Sequence, residues 1–201
     1  MSGKLIVIEG IDGCGKSTQA KLLVDHLVRM NVPYVLAKQP STGPVGQLLR
    51  NILLGLQEDP GARALALLFA ADRAHQADRA IRPALERGDV VLCDRYYHSS
   101  MAYQTDGSRE QALGVRQINA YARVPDMTIL LAVDPVLAGA RVRARSLARE
   151  IFDDEAAQIR VHAAYSSMEE WLHRERIVTI DGEQLPERVH QLILRATDGL
   201  I

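Results

Sequence analysis

The residues Gly10-Ile11-Asp12-Gly13-Cys14-Gly15-Lys16-Ser17 restrict what this chain can fold into more than any other stretch. They fit the spacing G-x-x-x-x-G-K-[ST]. A continuous apolar run, Lys4 to Glu9, comes before them. Runs of this type suit a strand buried on both faces of a parallel sheet. A segment of helical spacing, Lys16 to Met30 with Leu22, Leu23, Leu27 and Met30 on one side, comes after. The glycines let backbone N–H groups turn inward and form an anion nest. The helix beginning near Lys16 adds its dipole and its free N–H groups. Lys16 supplies an ammonium for the outer phosphates of a nucleoside triphosphate, and the Ser17 hydroxyl is placed for Mg²⁺. The expected phosphate-binding set is Gly10, Ile11, Asp12, Gly13, Cys14, Gly15, Lys16, Ser17 and the following Thr18. Such a loop alone leaves open a small-molecule kinase, a GTPase switch and a DNA-handling ATPase.

Similar apolar runs recur at Tyr34–Ala37, Val90–Cys93, Met127–Val133 and Ile177–Ile180. Helical patterns lie between them, at Ala62–Leu85, Pro135–Arg149, Glu155–Arg174 and Pro186–Ala196. Strands alternating with helices predict an α/β fold with a central parallel five-stranded sheet and helices on both faces. Pro40–Pro44 and Thr105–Ser108 read as loops too short to divide the chain. Residues 1–201 therefore read as one domain.

Composition narrows the function. The net charge of −1 gives no bulk attraction to nucleic acid, and 4% aromatic residues make a poor stacking platform for single strands. No apolar run approaches the ~18 residues of a membrane span. Met1–Glu9 has neither the length nor the cleavage pattern of a signal peptide. Cys14 and Cys93 make no disulfide framework and read as small buried fillers near the site. A cytoplasmic protein with reduced thiols is expected. Of the 24 basic residues only four are lysine, Lys4, Lys16, Lys21 and Lys38.

Asp94 and Arg95 follow the apolar run Val90–Cys93. A carboxylate at that end of a buried strand sits where α/β folds bind ligands and is a candidate for Mg²⁺ or its waters, and Arg95 offers a fork for phosphate. The stretch Asp94-Arg95-Tyr96-Tyr97-His98-Ser99-Ser100-Met101-Ala102-Tyr103-Gln104 resembles the D-R-Y-x-x-S-[ST]-x-A-Y-Q pattern of thymidylate kinases at every fixed position. Three further stretches are similar to that family: Ile8–Gly13, the run Lys38-Gln39-Pro40 through Gly46 and Arg50, and Leu67-Leu68-Phe69-Ala70-Ala71-Asp72-Arg73. They occur in the right order along essentially the whole chain.

The resemblance implies a P-loop kinase three-layer sandwich with a short helical lid at about 140–155. It implies the reaction ATP + dTMP → ADP + dTDP with Mg²⁺, and a homodimer. Phe69 would stack on thymine and Arg73 would bond its carbonyl edge. Ser100 and Gln104 would face the base. Tyr103 would lie under the deoxyribose, where a 2′-hydroxyl would not fit. Arg95 and Lys38 would grip the dTMP phosphate, and Asp12 would sit near the sugar and the phosphates. Lys38 and Gln39 stand where the family usually has Arg and Glu, so Lys38 brings a point charge instead of a bidentate fork. The acceptor is a phosphate oxygen already ionised at neutral pH, so no strong general base is needed. Alignment and charge should dominate, with Lys16, Asp12, Arg95 and lid arginines as the catalytic set. Gly13 leaves the loop without an arginine, and Arg141, Arg145 and Arg149 share one helical face. Arg149 best matches the family's lid arginine, Arg145 lies one turn away, and Arg141 is expected at ATP.

Overall fold

The computed structural model describes residues 3–145 and 154–201, without the side chains of Arg145 and Glu155. The first half of the chain holds Lys4–Glu9 (β1), Lys16–Arg29 (α1), Tyr34–Lys38 (β2), Pro44–Leu53 (α2), Ala62–Gln76 (α3), a π-helical turn Ala77–Ile81, Arg82–Arg87 (α4) and Val90–Asp94 (β3). The second holds Tyr97–Tyr103 (α5), Arg109–Ile118 (α6), Met127–Ala132 (β4), Pro135–Arg145 (α7), Glu155–Ser166 (α8), Met168–Trp171 (α9), Ile177–Asp181 (β5) and Pro186–Thr197 (α10). All strand pairings are parallel, in the order β2-β3-β1-β4-β5.

The three central strands are the buried apolar runs: Leu5, Ile6, Val7, Val91, Leu92 and Ile129 have no exposed surface. The run at Tyr34–Ala37 departs from the expectation of burial on both faces. It forms an edge strand, and Leu36 is 53% exposed. Helix α1 turns Leu23 and Leu27 onto the sheet, and α10 lies beside α1 and against β5. Helix α4 packs on β3 and α8 on β4.

The Ala62–Leu85 pattern is not one uniform α-helix. Pro83 has no N–H to donate back along the helix, and the chain widens into the π-helical turn just before it. The Glu155–Arg174 pattern also breaks, at Ser167 between α8 and α9. Helices α2, α5 and α6 were not expected. In α5 every residue except Ser99 is buried, so no polar face marks it as a helix. Helix α6 starts on its own cap, the Ser108 hydroxyl accepting from the Gln111 N–H at 3.4 Å.

Right-handed crossovers settle the layers. The chain leaves β1 through α1 toward β2 on one side of the sheet. The later connections run the other way across the sheet and so cover its opposite face. Neighbouring strands β1 and β3 therefore send their chains to opposite faces, which opens a crevice at their carboxyl ends.

Candidate active site

Strand register assembles the crevice. Ile8 pairs with Asp94 and Asp94 with Lys38, so the ends of three adjacent strands lie side by side. The phosphate-binding loop follows β1. Gly10, Gly13 and Gly15 take φ values of 140°, 85° and 105°, a region closed to most side chains. At Gly13 a Cβ would also collide with the Ala138 carbonyl of α7. Lys16 Nζ donates to the carbonyls of Gly10 and Ile11, both at 2.9 Å, and lies 4.0 Å from Asp12.

Arg95 stands at the end of β3 with φ of 71°, a left-handed conformation rare outside glycine and costing on the order of 1–3 kcal/mol. Its Nη2 reaches Asp12 Oδ1 at 2.6 Å and its Nη1 the Ser99 hydroxyl at 3.0 Å. Its guanidinium lies 5.1 Å over the Tyr103 ring, whose hydroxyl donates to Asp12 Oδ2 at 3.2 Å. Desolvation in the cleft opposes the Asp12 charge. The Arg95 guanidinium and the Lys16 ammonium outweigh it and hold the carboxyl well below the usual carboxylate range.

A cleft beyond Arg95 is lined by Asp12, Lys38, Phe69, Arg73, Arg95, Ser100, Tyr103 and Gln104, the residues expected at an acceptor. It also takes in Gln39, Pro40, Arg50, Leu53, Tyr96 and Ser99. Arg73 has no exposed surface. Its Nε donates to Gln39 Oε1 at 2.9 Å, its Nη2 to Ser100 Oγ at 3.2 Å, and its Nη1 to Asn119 Oδ1. Gln39 therefore holds Arg73 in place with a neutral carbonyl. Lys38 is 59% exposed and leans on Asp94 at 3.7 Å. Phe69 spans two settings, lining this cleft and packing against the cluster of Leu49, Ile52 and Leu65.

On the other side of the loop a second cleft is lined by Gly13, Cys14, Gly15, Thr18 and Arg141, with Gln19, Gly182, Gln184 and Pro186. Arg141 donates to the Gly182 carbonyl at 3.2 Å. Arg149 and the Arg145 side chain lie outside the described residues. Cys14 and Cys93 are both buried, and burial pushes the Cys93 thiol far above its ordinary range.

Asp94 and Ser17 meet between the clefts, Ser17 Oγ standing 3.5 Å from Asp94 Oδ2. Asp94 Oδ1 is buried and has no hydrogen-bond partner. An orphaned carboxylate oxygen beside a hydroxyl suits a hard divalent cation. Among the described residues no three His, Cys, Asp or Glu side chains converge, so such an ion would draw its other ligands from phosphate and water.

Sequence reasoning named neither Asn119 nor Glu9 as a site residue, and it used Arg50 only as part of a motif. Arg50 donates to the Pro40 carbonyl at 3.1 Å and shapes the cleft wall. Glu9 carried a signal, a lone carboxylate ending an apolar strand. Asn119 carried none.

A parallel sheet with a phosphate-binding loop after β1, and clefts on both sides of that loop, makes this a P-loop α/β protein built to bring two ligands together. A model of the thymidylate kinase family matches residues 8–193. The thymidylate kinase of Exiguobacterium sp. is 38% identical over 202 residues, covering 98% of this chain and 95% of that one. The probable thymidylate kinase of Pyrococcus abyssi is 39% identical, with 96% of this chain and 95% of that one covered. The thymidylate kinase of Clavibacter sepedonicus is 44% identical across 76% of this chain and 72% of its own. The chain belongs to the thymidylate kinase family.

Proposed function

We propose that this protein transfers the terminal phosphoryl group of ATP to the 5′-phosphate of dTMP, giving dTDP and ADP. The observation that carries the reading is the cleft facing the phosphate-binding loop. The Arg95 guanidinium, held by Asp12 and Ser99, lies at its loop end, and a buried arginine held only by neutral groups, Arg73, lies at its far end. The first suits a phosphate and the second a base carbonyl.

The γ-phosphorus–oxygen bond to the β-phosphate breaks as a dTMP phosphate oxygen attacks in line. Backbone N–H groups of residues 13–18 cradle the donor phosphates. Lys16 leaves its two carbonyl partners and follows the charge of the transferred group. Arg95 holds the acceptor phosphate, with Lys38 beside it, and Asp12 fixes Arg95 and faces the sugar. Phe69, Arg73, Ser100 and Gln104 receive the thymine, and Tyr103 closes the space under the sugar. Asp94 and Ser17 would hold Mg²⁺, which when bound neutralises charge on the donor phosphates. Arg141 lies on the ATP side, and Arg149 or Arg145 brings lid charge to the transition state. The closing lid, at about 140–155, keeps water from competing as acceptor.

We further take residues 1–201 to act as one domain, in a cytoplasmic homodimer. Among the described residues no helix is long and apolar enough to cross a membrane. The reading is tested by coupled ADP release across a panel of ribo- and deoxynucleoside monophosphates. Release stimulated most by dTMP is expected. Stimulation only by another monophosphate would reassign the substrate. Nucleotide-dependent capture of a protein partner without dTMP-stimulated release would make the chain a switch instead.

A further inference from the structure

Glu9 ends β1 immediately before the phosphate-binding loop and has no exposed surface. Four donors converge on its carboxylate. Oε1 accepts from the backbone N–H groups of Tyr96 at 2.6 Å and Ser99 at 3.2 Å. Oε2 accepts from the hydroxyls of Ser99 at 2.7 Å and Tyr165 at 2.8 Å. Among the described residues the basic group nearest to it is His98 Nδ1, at 4.0 Å. A buried carboxylate without a close cation is costly unless its hydrogen bonds are complete, as they are here.

Those bonds go to three places that matter for Arg95. Helix α5 has no capping side chain of its own, and Glu9, from the neighbouring strand, takes the N–H of its N-cap residue Tyr96 and that of Ser99 in its first turn. Arg95 is held in its left-handed conformation from both sides by β1. Its own N–H donates to the Ile8 carbonyl at 3.1 Å, and the next N–H, of Tyr96, is taken by Glu9. The Ser99 hydroxyl donates to Glu9 and so turns a lone pair to Arg95 Nη1 at 3.0 Å. The remaining donor, Tyr165, belongs to α8, the helix that follows residues 146–153.

We propose that Glu9 is a positioning residue for the acceptor phosphate. It aims the Arg95 guanidinium through Ser99 and the Tyr96 peptide, and through Tyr165 it ties that aim to the seating of α8. Grip on the acceptor and the placement of the chain beyond the lid are then joined by one carboxylate. The inference rests on the phosphate-binding role proposed for Arg95.

Glu9→Gln keeps the side chain's size but presents an amide N–H₂ to two of the four donors. It is expected to lower kcat/KM for dTMP by about 30-fold or more while KM for ATP changes less than about 2-fold. In an Arg95→Ala background the same substitution should cost less than about 3-fold, because the group it aims is gone. Tyr165→Phe should give a smaller loss, again absent in the Arg95→Ala background. A merely structural Glu9 would lose activity by the same factor in both backgrounds and for both substrates, in step with the folded fraction measured by circular dichroism. That result would overturn the proposal, as would wild-type kinetics in Glu9→Gln. Should Glu9→Gln fail to fold, Ser99→Ala carries the same double-mutant test, since it removes the hydroxyl between Glu9 and Arg95. If Arg95→Ala itself leaves kcat/KM for dTMP unchanged, the role of Arg95 fails and the inference falls with it. A harmful Arg95→Ala with additive Glu9→Gln defeats the inference alone.

Discussion

Arg73 and Asp12 show how single side chains acquire their character from neighbours. Arg73 is buried among the neutral acceptors Gln39, Ser100 and Asn119, so its charge is desolvated without being cancelled. Burial lowers its affinity for a proton, and a base carbonyl at its fork would relieve part of that cost. Arg73→Ala is expected to weaken dTMP by about 1–3 kcal/mol, with ATP binding unchanged, in titration calorimetry. Tyr103→Ala should narrow the preference for deoxy over ribo acceptors, and an unchanged ranking in both variants would misplace the cleft. Asp12 is held below the ordinary carboxylate range in the folded protein. A carboxyl lowered on folding stabilises the fold above its unfolded value, about 4, and loses that contribution as pH falls through its folded value. The stability advantage of the parent over Asp12→Asn should therefore be complete at neutral pH and shrink on acidification below about pH 4. Urea unfolding across that range checks the sign.

At the scale of elements, the loop after β1 and α7 are packed together. The loop passes so close to α7 that Gly13 has no room for a Cβ, and its φ is positive as well. Gly13→Ala is expected to destabilise the protein by at least about 1–2 kcal/mol from backbone strain alone, read as a lower urea midpoint. It should also raise KM for ATP, since α7 carries Arg141 to the second cleft. The arginines proposed for the lid follow along the chain. Arg149→Ala is expected to lower kcat at least about 10²-fold with a smaller effect on dTMP affinity, because such charge acts mainly on the transition state. Arg145 is the second candidate, four residues earlier in the chain. Parent-like kcat in the single and double variants would leave the cluster as a solvated helix face.

For the whole molecule, the crevice is a product of topology, and the core beneath it protects what lies there. Cys14 and Cys93 are buried within the same core cluster as the central strands. An accessible Cys14 would be alkylated from the ATP side, but its burial points the other way. Both thiols are expected to resist iodoacetamide in the native protein and to react at a rate that tracks global opening as urea is added. Mass spectrometry of the labelled protein checks this, and rapid native labelling of Cys14 blocked by ATP would show a locally open loop instead.

The glycine-rich loop after β1 was legible because its requirements are contiguous. Positive φ at fixed positions calls for glycine, and the ammonium and hydroxyl come from the next two residues of the same turn. The α/β class and the five strands were legible for a similar reason, since buried runs and helical spacing are local patterns. Asp94 and Arg95 were marked by their place at the end of an apolar run, but only the resemblance raised them above a surface ion pair, and the other residues expected at the acceptor came from the resemblance. Tertiary structure alone decided that Tyr34–Lys38 is an edge, since a strand's burial depends on what lies beside it. It also decided that Gln39 and Asn119 support Arg73 and that Glu9 caps α5. Those partners lie 34, 46 and 87 residues apart along the chain. A hydrogen bond of that span leaves no periodicity or spacing to read, because it forms only after the sheet has brought the ends of its strands together.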